Sequence, residues 1–246
     1  GQWFLDPLNK RGPDYERNKE RILDKIHKVD ATFTTTSPKV LSFMPNKGKN
    51  FFIPNPSDPS FETLNNYLKP CNVDVFFALS HGVHRGVLKS GKIDDRINFI
   101  EKLRKITSDV KFDIYGVDKI QPIWADHYFK TIANAKMGLN LSRGEAIKYY
   151  SSDRITQIIG NGLVCLIDQK TEYSDFFSDK EMVFYKSLSD LSEKISKLSK
   201  DEKLRKSIGK KGKDKYMKYF NSKLVAQFII DKTLGIENKN KYIWHK

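Results

Sequence analysis

The sequence predicts an α/β fold, a doubly wound parallel sheet of the Rossmann-like kind, preceded by the tail end of a second, N-terminal Rossmann-like domain. Two observations predict it. From about residue 73 short apolar runs alternate with amphipathic helical stretches, the pattern of βαβ units and hence of a parallel sheet. The 246 residues, 39% hydrophobic, suffice for one full core and part of another, at roughly 100 to 200 residues per domain.

Taken in order, WFL (3–5) and ATFTTT (31–36) read as strands around a charged helix at about 14–28. FFIPNPSDPSF (51–61) carries three prolines, which cannot continue a regular element, so it reads as a connection between units. VDVFFAL (73–79) is the first strand of the main sheet, and Ile93, Ile97, Ile100 and Leu103 then share one helical face. VKFDIYG (110–116) is the second strand, and a helix at 126–135 leads to the third, KMGLNLS (136–142). A helix starting at Ser152 or Asp153 ends at Gly160 to Gly162, before the strands LVCLID (163–168) and MVFY (182–185). Leu188, Leu191, Ile195 and Leu198 stripe the next helix, two more cover 201–219 and 221–234, and ENKNKYIWHK reads as a tail. The boundary falls near 60–72: residues 1–68 form the C-terminal part of a first domain plus linker, 69–222 the main domain, and 223–246 a C-terminal helix and tail. Residues 1–59 hold too few elements for a whole Rossmann-like layer, and residue 1 is Gly without a secretory signal after it, so the chain is expected to begin inside a longer protein.

Composition narrows the function classes. No run of about 18 apolar residues exists to span a bilayer. Cys71 and Cys165 lie far apart, the latter inside a strand-like run, which fits a reducing cytoplasm rather than a disulfide framework. His81 and His84 are the one close histidine pair and have no Cys or carboxylate beside them, so no metal is expected. The net charge of +14 falls largely on lysines at 186–218 and 232–246, spaced between Leu and Ile with acidic partners. That pattern is a solvated helix face, or a surface attracting a nucleotide diphosphate, an anionic membrane or RNA; no RNP-like, zinc-finger or helix-turn-helix signature supports nucleic acid as a partner.

Open α/β sheets bind ligands beyond the carboxyl ends of their strands. After the first main strand comes SHGVHRGVLKSGK (80–92), where Gly82 lets backbone approach a ligand and His84, Arg85 and Lys89 supply donors; the same loop can equally be a flexible basic surface. After the third comes SRGEAIKYYSSDRITQIIGNG (142–162). Ser151, Ser152 and Asp153 are good N-cap residues, and Arg154 stands in the first turn, where a cation opposes the helix dipole. It needs a compensating partner: a bound diphosphate, or a salt bridge to Asp153 or Glu145. Tyr149 and Tyr150 can stack on a base or sugar, or simply pack against the sheet.

The run YYSSDRITQIIGNGLVCLID, an acidic turn (TEYSDFF), a short strand and the helices DLSEKISKLSKDEKLRKSIGKKGKDKYMKYFN resemble the C-terminal, donor-binding domain of group 1 glycosyltransferases of GT-B type, nearest the CgeB-like branch. FFIPNPSDPSF and DVFFALSHGVHRG resemble that family's interdomain segment and first donor-domain strand, so the likeness covers most of 50–222. It implies a nucleotide-diphosphate sugar as co-substrate, no metal or other cofactor, and a glycan, lipid-linked or protein acceptor in cell-surface glycan building, in the cytoplasm at the inner membrane face. It places the 82–89 loop and Arg154 at the diphosphate and 142–153, including Ser142 and Arg143, along the sugar and ribose. Arg85, Arg154 and Glu145 are the implied catalytic groups, Glu145 because the family's paired glutamates align with Tyr149 and Gln157. An amide bonds a ribose hydroxyl but cannot act as a carboxylate, so a non-catalytic sugar-nucleotide or protein binder of the same fold is the second reading.

Overall fold

The computed structural model describes residues 1–12, 14–45, 48–79, 94–117, 120–238 and 241–245. A first sheet contains β1 (Gln2–Phe4), β2 (Thr32–Thr34) and β3 (Asn50–Phe52), all parallel and in that order, with α1 (Tyr15–Ile26) crossing between the first two. Tyr15, Asn18, Ile22 and Ile26 form the buried face of α1, and the Asn18 amide donates to the Pro7 carbonyl at 3.0 Å. The segment expected to be a plain connection therefore begins as a strand. Phe51 and Phe52 keep their N–H groups and pair with β2, and donors are lost only from Pro54 onward.

The second sheet has five parallel strands: β4 (Val73–Ala78), β5 (Phe112–Tyr115), β6 (Ala135–Asn140), β7 (Val164–Asp168) and β8 (Val183–Tyr185), in the order β5-β4-β6-β7-β8. The order turns back at β4, so connections wind over both faces, as the alternating pattern predicts. The helices are α2 (Asp95–Ile106), α3 (Ala125–Ile132), α4 (Arg154–Gly160), α5 (Leu188–Lys200), α6 (Glu202–Tyr219) and α7 (Ser222–Leu234). Apolar clusters cover both faces: Phe76, Ile158, Cys165 and Phe184 belong to one, Val75, Phe77, Leu139 and Leu166 to the other. Strands buried on both sides read as continuous hydrophobic runs, which is why VCLI was legible. Ser187, Asp201 and Asn221 cap α5, α6 and α7 by accepting the N–H groups of Asp190, Leu204 and Leu224. Among the described residues no helix is long and apolar enough to cross a membrane.

The chain then returns to the first sheet. Phe228 of α7 lies edge-on to Phe33 and Phe51, at 6.2 and 5.8 Å between ring centres. The segment expected to be a tail is part of the core: Tyr242 and Trp244 are buried against Phe228. A second fixing point is buried Asp231, which accepts from Gln227, Asn238 and the Tyr242 hydroxyl. Aromatic area, rather than the charges around it, decides the fate of ENKNKYIWHK. Tyr242→Phe removes a donor from a buried carboxylate, so an unfolding free energy lower by about 1–2 kcal/mol is expected in urea titration; an unchanged midpoint would refute this role.

The linker is tied down near α7 as well. The Ser57 N–H donates to the Phe220 carbonyl and the Ser57 carbonyl accepts the Ser222 N–H, while Asp58 accepts from the Ser222 hydroxyl and from Ser60. These hydrogen bonds hold the Asp58 carboxyl down, from 3.8 to about 2. A carboxyl depressed on folding stabilises above its unfolded value and loses that contribution as pH falls through its folded one. The denaturation midpoint should thus fall between about pH 4 and pH 2, and Asp58→Asn should flatten part of that fall.

Candidate functional site

At the carboxyl end of β4 a pocket of 320 Å³ opens between the start of α3 and the start of α4. Ala78 and Leu79 form its floor, Ile123, Trp124, Ala125, Tyr128 and Phe129 one wall, and Asp153, Arg154 and Gln157 the other. The central strands end here beside the reversal of strand order, where loops part and leave a crevice.

Arg154 is the dominant group. Its Nη2 donates to the Leu141 carbonyl at 2.7 Å, and its guanidinium lies 5.4 Å from the centre of the Phe77 ring. Its Nε is buried with no partner. Among the described residues Arg154 makes no ion pair, so neither salt bridge considered from the sequence forms. The Asp153 carboxylate accepts the Arg154 backbone N–H instead, and Glu145 pairs with Arg11 at 2.5 Å. Burial, and then the nearby Arg96 cation, push the Arg154 guanidinium below its usual value; arginine remains charged at physiological pH all the same. A half-compensated buried cation is costly to keep unless something anionic visits it.

Facing it, the Tyr128 ring sits edge-on to Phe76 at 5.3 Å, and its hydroxyl is buried without a partner. Burial raises this phenol well above the usual tyrosine range, so it stays protonated and able to donate. Two donors without acceptors in one pocket favour a ligand rich in acceptor oxygens.

The backbone at α4 contributes less than expected. This helix has seven residues, and its first N–H groups are satisfied internally: Arg154 by Ser152 and Asp153 side chains, Ile155 by the Ser152 carbonyl, Thr156 by that of Asp153. An anion entering this pocket would therefore meet side chains rather than a free helix terminus.

Other expected site residues have different work. Tyr149 adopts a left-handed backbone with φ of 62°, packs between Phe52 and Phe176 at 4.9 and 4.7 Å, and donates to Asp175 at 2.6 Å. Tyr150 is buried. Ser151 contacts the Tyr173 hydroxyl at 2.9 Å and accepts from Asn55, and Ser152 exchanges backbone bonds with the Asn140 side chain. Arg143 is held by Asp14 at 2.9 Å and lies 3.7 Å from the buried Asp94 carboxylate, which joins the first unit to the second. Ser142 is half-exposed on the same loop. Glu145 lines a separate pocket of 280 Å³ with Asn9, Lys10 and Tyr15, at the seam between the units. Of the expected set, Asp153, Arg154 and Gln157 meet in the pocket. Gly82, His84, Arg85 and Lys89 lie outside the described residues.

Sequence reasoning missed the aromatic wall. Trp124 is 57% exposed and Phe129 39%, unusual for rings of this size, and Ala125 between them has a φ of 45°, a strained value for a residue with a Cβ. The available signal was positional: QPIW follows the carboxyl end of β5, just as the basic segment SHGVHRGVLKSGK follows β4 and SRGEAIKYYSSDR follows β6 in the sequence.

With this geometry in hand, comparison with known proteins places the chain. The model of a family described as glycosyl transferase-like matches residues 96–231, more than half of the sequence. Among curated proteins no match is found. Among solved structures the chain is similar to TarM of S. aureus, with a TM-score of 0.62 and 15% identity over 88% of this chain and 46% of that one. It is also similar to Anabaena HepE, solved with UDP (TM-score 0.60, 11% identity, 95% of this chain and 71% of that), and to the pneumococcal O-GlcNAc transferase GtfA, solved with UDP and GlcNAc (0.57, 14%, 89% and 48%). The chain thus spans less than half the length of TarM and of GtfA. At these identities the likeness establishes the fold.

Proposed function

This chain belongs to the glycosyl transferase-like family, with the parallel-sheet fold of GT-B enzymes, and from that premise we propose that its β4–α3–α4 pocket binds the donor, a nucleotide-diphosphate sugar, for transfer to a glycan, lipid-linked or protein acceptor. The observation that supports this most is the buried guanidinium of Arg154, which has no carboxylate among the described residues. A diphosphate supplies the missing charge and acceptors together. Trp124 and Phe129, held open at the rim, offer faces on which a base can lie. Gln157 reaches the same space with an amide suited to a ribose hydroxyl.

In the transfer itself the bond between the anomeric carbon and the diphosphate breaks, an acceptor hydroxyl oxygen takes its place, and the acceptor's proton passes to the departing diphosphate or to solvent. Charge grows on the departing diphosphate, and a cation already fixed beside it lowers the barrier without reorganising. Arg154 is assigned that role, with Arg85, which follows β4 in the sequence. We further assign the chain to the CgeB-like branch and to the cytoplasmic membrane face, where the lysine-rich helices α5 and α6 suit anionic lipid. UDP and the anomers of its sugars serve as first probes: saturable binding of nucleoside diphosphates, followed by release of the diphosphate when sugar nucleotides meet acceptor extracts, is the expected result. Absence of saturable binding by any nucleoside diphosphate would overturn the donor site.

A second reading is favoured by one observation. Tyr149, where the family's first glutamate aligns, is locked into aromatic packing, and Gln157 replaces the second. A chain that binds donors yet releases diphosphate from none of them would be a binding module of this fold.

A further inference from the structure

We propose that the Tyr128 hydroxyl donates a hydrogen bond to a phosphate oxygen of the bound nucleoside diphosphate, beside Arg154. The inference rests on the donor site just described and adds to it a residue that neither motif nor family resemblance singles out.

Three features converge on it. The hydroxyl oxygen of Tyr128 is buried and has no hydrogen-bond partner, though its ring is well seated against Phe76. Buried hydroxyls are nearly always satisfied, so a buried exception beside a pocket marks an interaction completed by something absent from the protein. The second orphan, Nε of Arg154, is likewise a donor; both residues line the pocket, and neither buried atom is paired with a carboxylate. A ligand oxygen carrying negative charge satisfies both at once; a purely apolar ligand satisfies neither, and a donor-rich one leaves the Arg154 Nε unsatisfied. The position on α3 is also fixed. Trp124 precedes the helix, its carbonyl accepts the Tyr128 N–H at 3.3 Å, and the strained Ala125 sets the angle at which α3 leaves the rim. The ring is therefore held in place before a ligand arrives, which lowers the entropic cost of using its hydroxyl.

Tyr128→Phe keeps the ring and its packing and deletes the donor alone. The test is calorimetric titration of the full chain and this variant with UDP, GDP and dTDP and with the matching nucleosides, beside Arg154→Gln. For whichever diphosphate binds, the variant should bind it roughly 10- to 100-fold more weakly, the span for a hydrogen bond to a charged group, with nucleoside affinity unchanged. The unliganded variant should melt at or above the temperature of the parent chain, since the lost hydroxyl has no protein partner. Equal diphosphate affinity in Tyr128→Phe, an equal loss for nucleoside and diphosphate, or a lower melting temperature of the unliganded variant each overturns the assignment. If Arg154→Gln weakens diphosphate binding while Tyr128→Phe does not, the site stands and the Tyr128 role falls; if neither variant changes binding, the donor site itself is misplaced.

Discussion

Arg154→Gln should weaken nucleoside diphosphate binding by about 30-fold or more while leaving the unliganded protein nearly as stable as before. The affinity loss follows from removing a buried cation from an anionic ligand, worth roughly 2–5 kcal/mol at about 1.4 kcal/mol per tenfold. The stability result follows from the same burial. The guanidinium has one protein acceptor, the Leu141 carbonyl, and no carboxylate among the described residues, so its removal relieves desolvation about as much as it forfeits contact. A melting temperature within about 3 °C of the parent is expected. Glutamine also keeps a donor long enough to test whether geometry alone suffices. Diphosphate affinity within threefold of the parent, or outright unfolding of the variant, would show that Arg154 is a structural residue.

Gly138→Val should destabilise the chain by about 3 kcal/mol or more, and its melting temperature should drop by about 6–12 °C. Strand propensity alone predicts the opposite sign, since valine is favoured and glycine disfavoured in a strand. The sterics decide. A Cβ at position 138 would stand 2.5 Å from Cγ1 and 2.7 Å from Cγ2 of Ile158, a β-branched side chain buried in α4. Either α4 lifts from β6 or Ile158 leaves its rotamer. Because Arg154 begins that same helix, the variant should also lose diphosphate affinity in the fraction that folds. Adding Ile158→Ala should return part of the stability, so the two changes couple in a double-mutant cycle. A Gly138→Val protein that melts within 2 °C of the parent would mean that the helix and strand have more room than their contact distances imply.

Much of the fold was readable because the signals are local. The apolar runs at 73–79, 136–142 and 163–168 are nearly continuous, as in strands buried on both faces, the stripe Leu188–Leu198 has the helical period, and the observed bounds differ from the expected ones by a few residues at the ends. Arg154 was readable for a local reason too, as a cation in a first turn that should reject it. What escaped notice depends on pairs far apart in sequence. Nothing near Arg143 announces Asp14, and nothing near Ser151 announces Asn55 or Tyr173. Trp124 and Tyr128 escaped because an exposed ring and a buried one carry the same letters, and only the angle of α3 tells which edge meets the pocket. The tail escaped because its lysines and asparagines outnumber the two rings that anchor it.

Those two rings also set an order of events at the ribosome. Phe33 and Phe51 are made long before Phe228, which closes over them, and Trp244, which closes over Phe228. At about 5–20 residues per second, Phe228 follows Phe33 by roughly 10–40 s. Through that interval the first sheet has an uncovered aromatic face while the second can already assemble from consecutive βα units. The strands of the first sheet are thus made well before the rings that seal them.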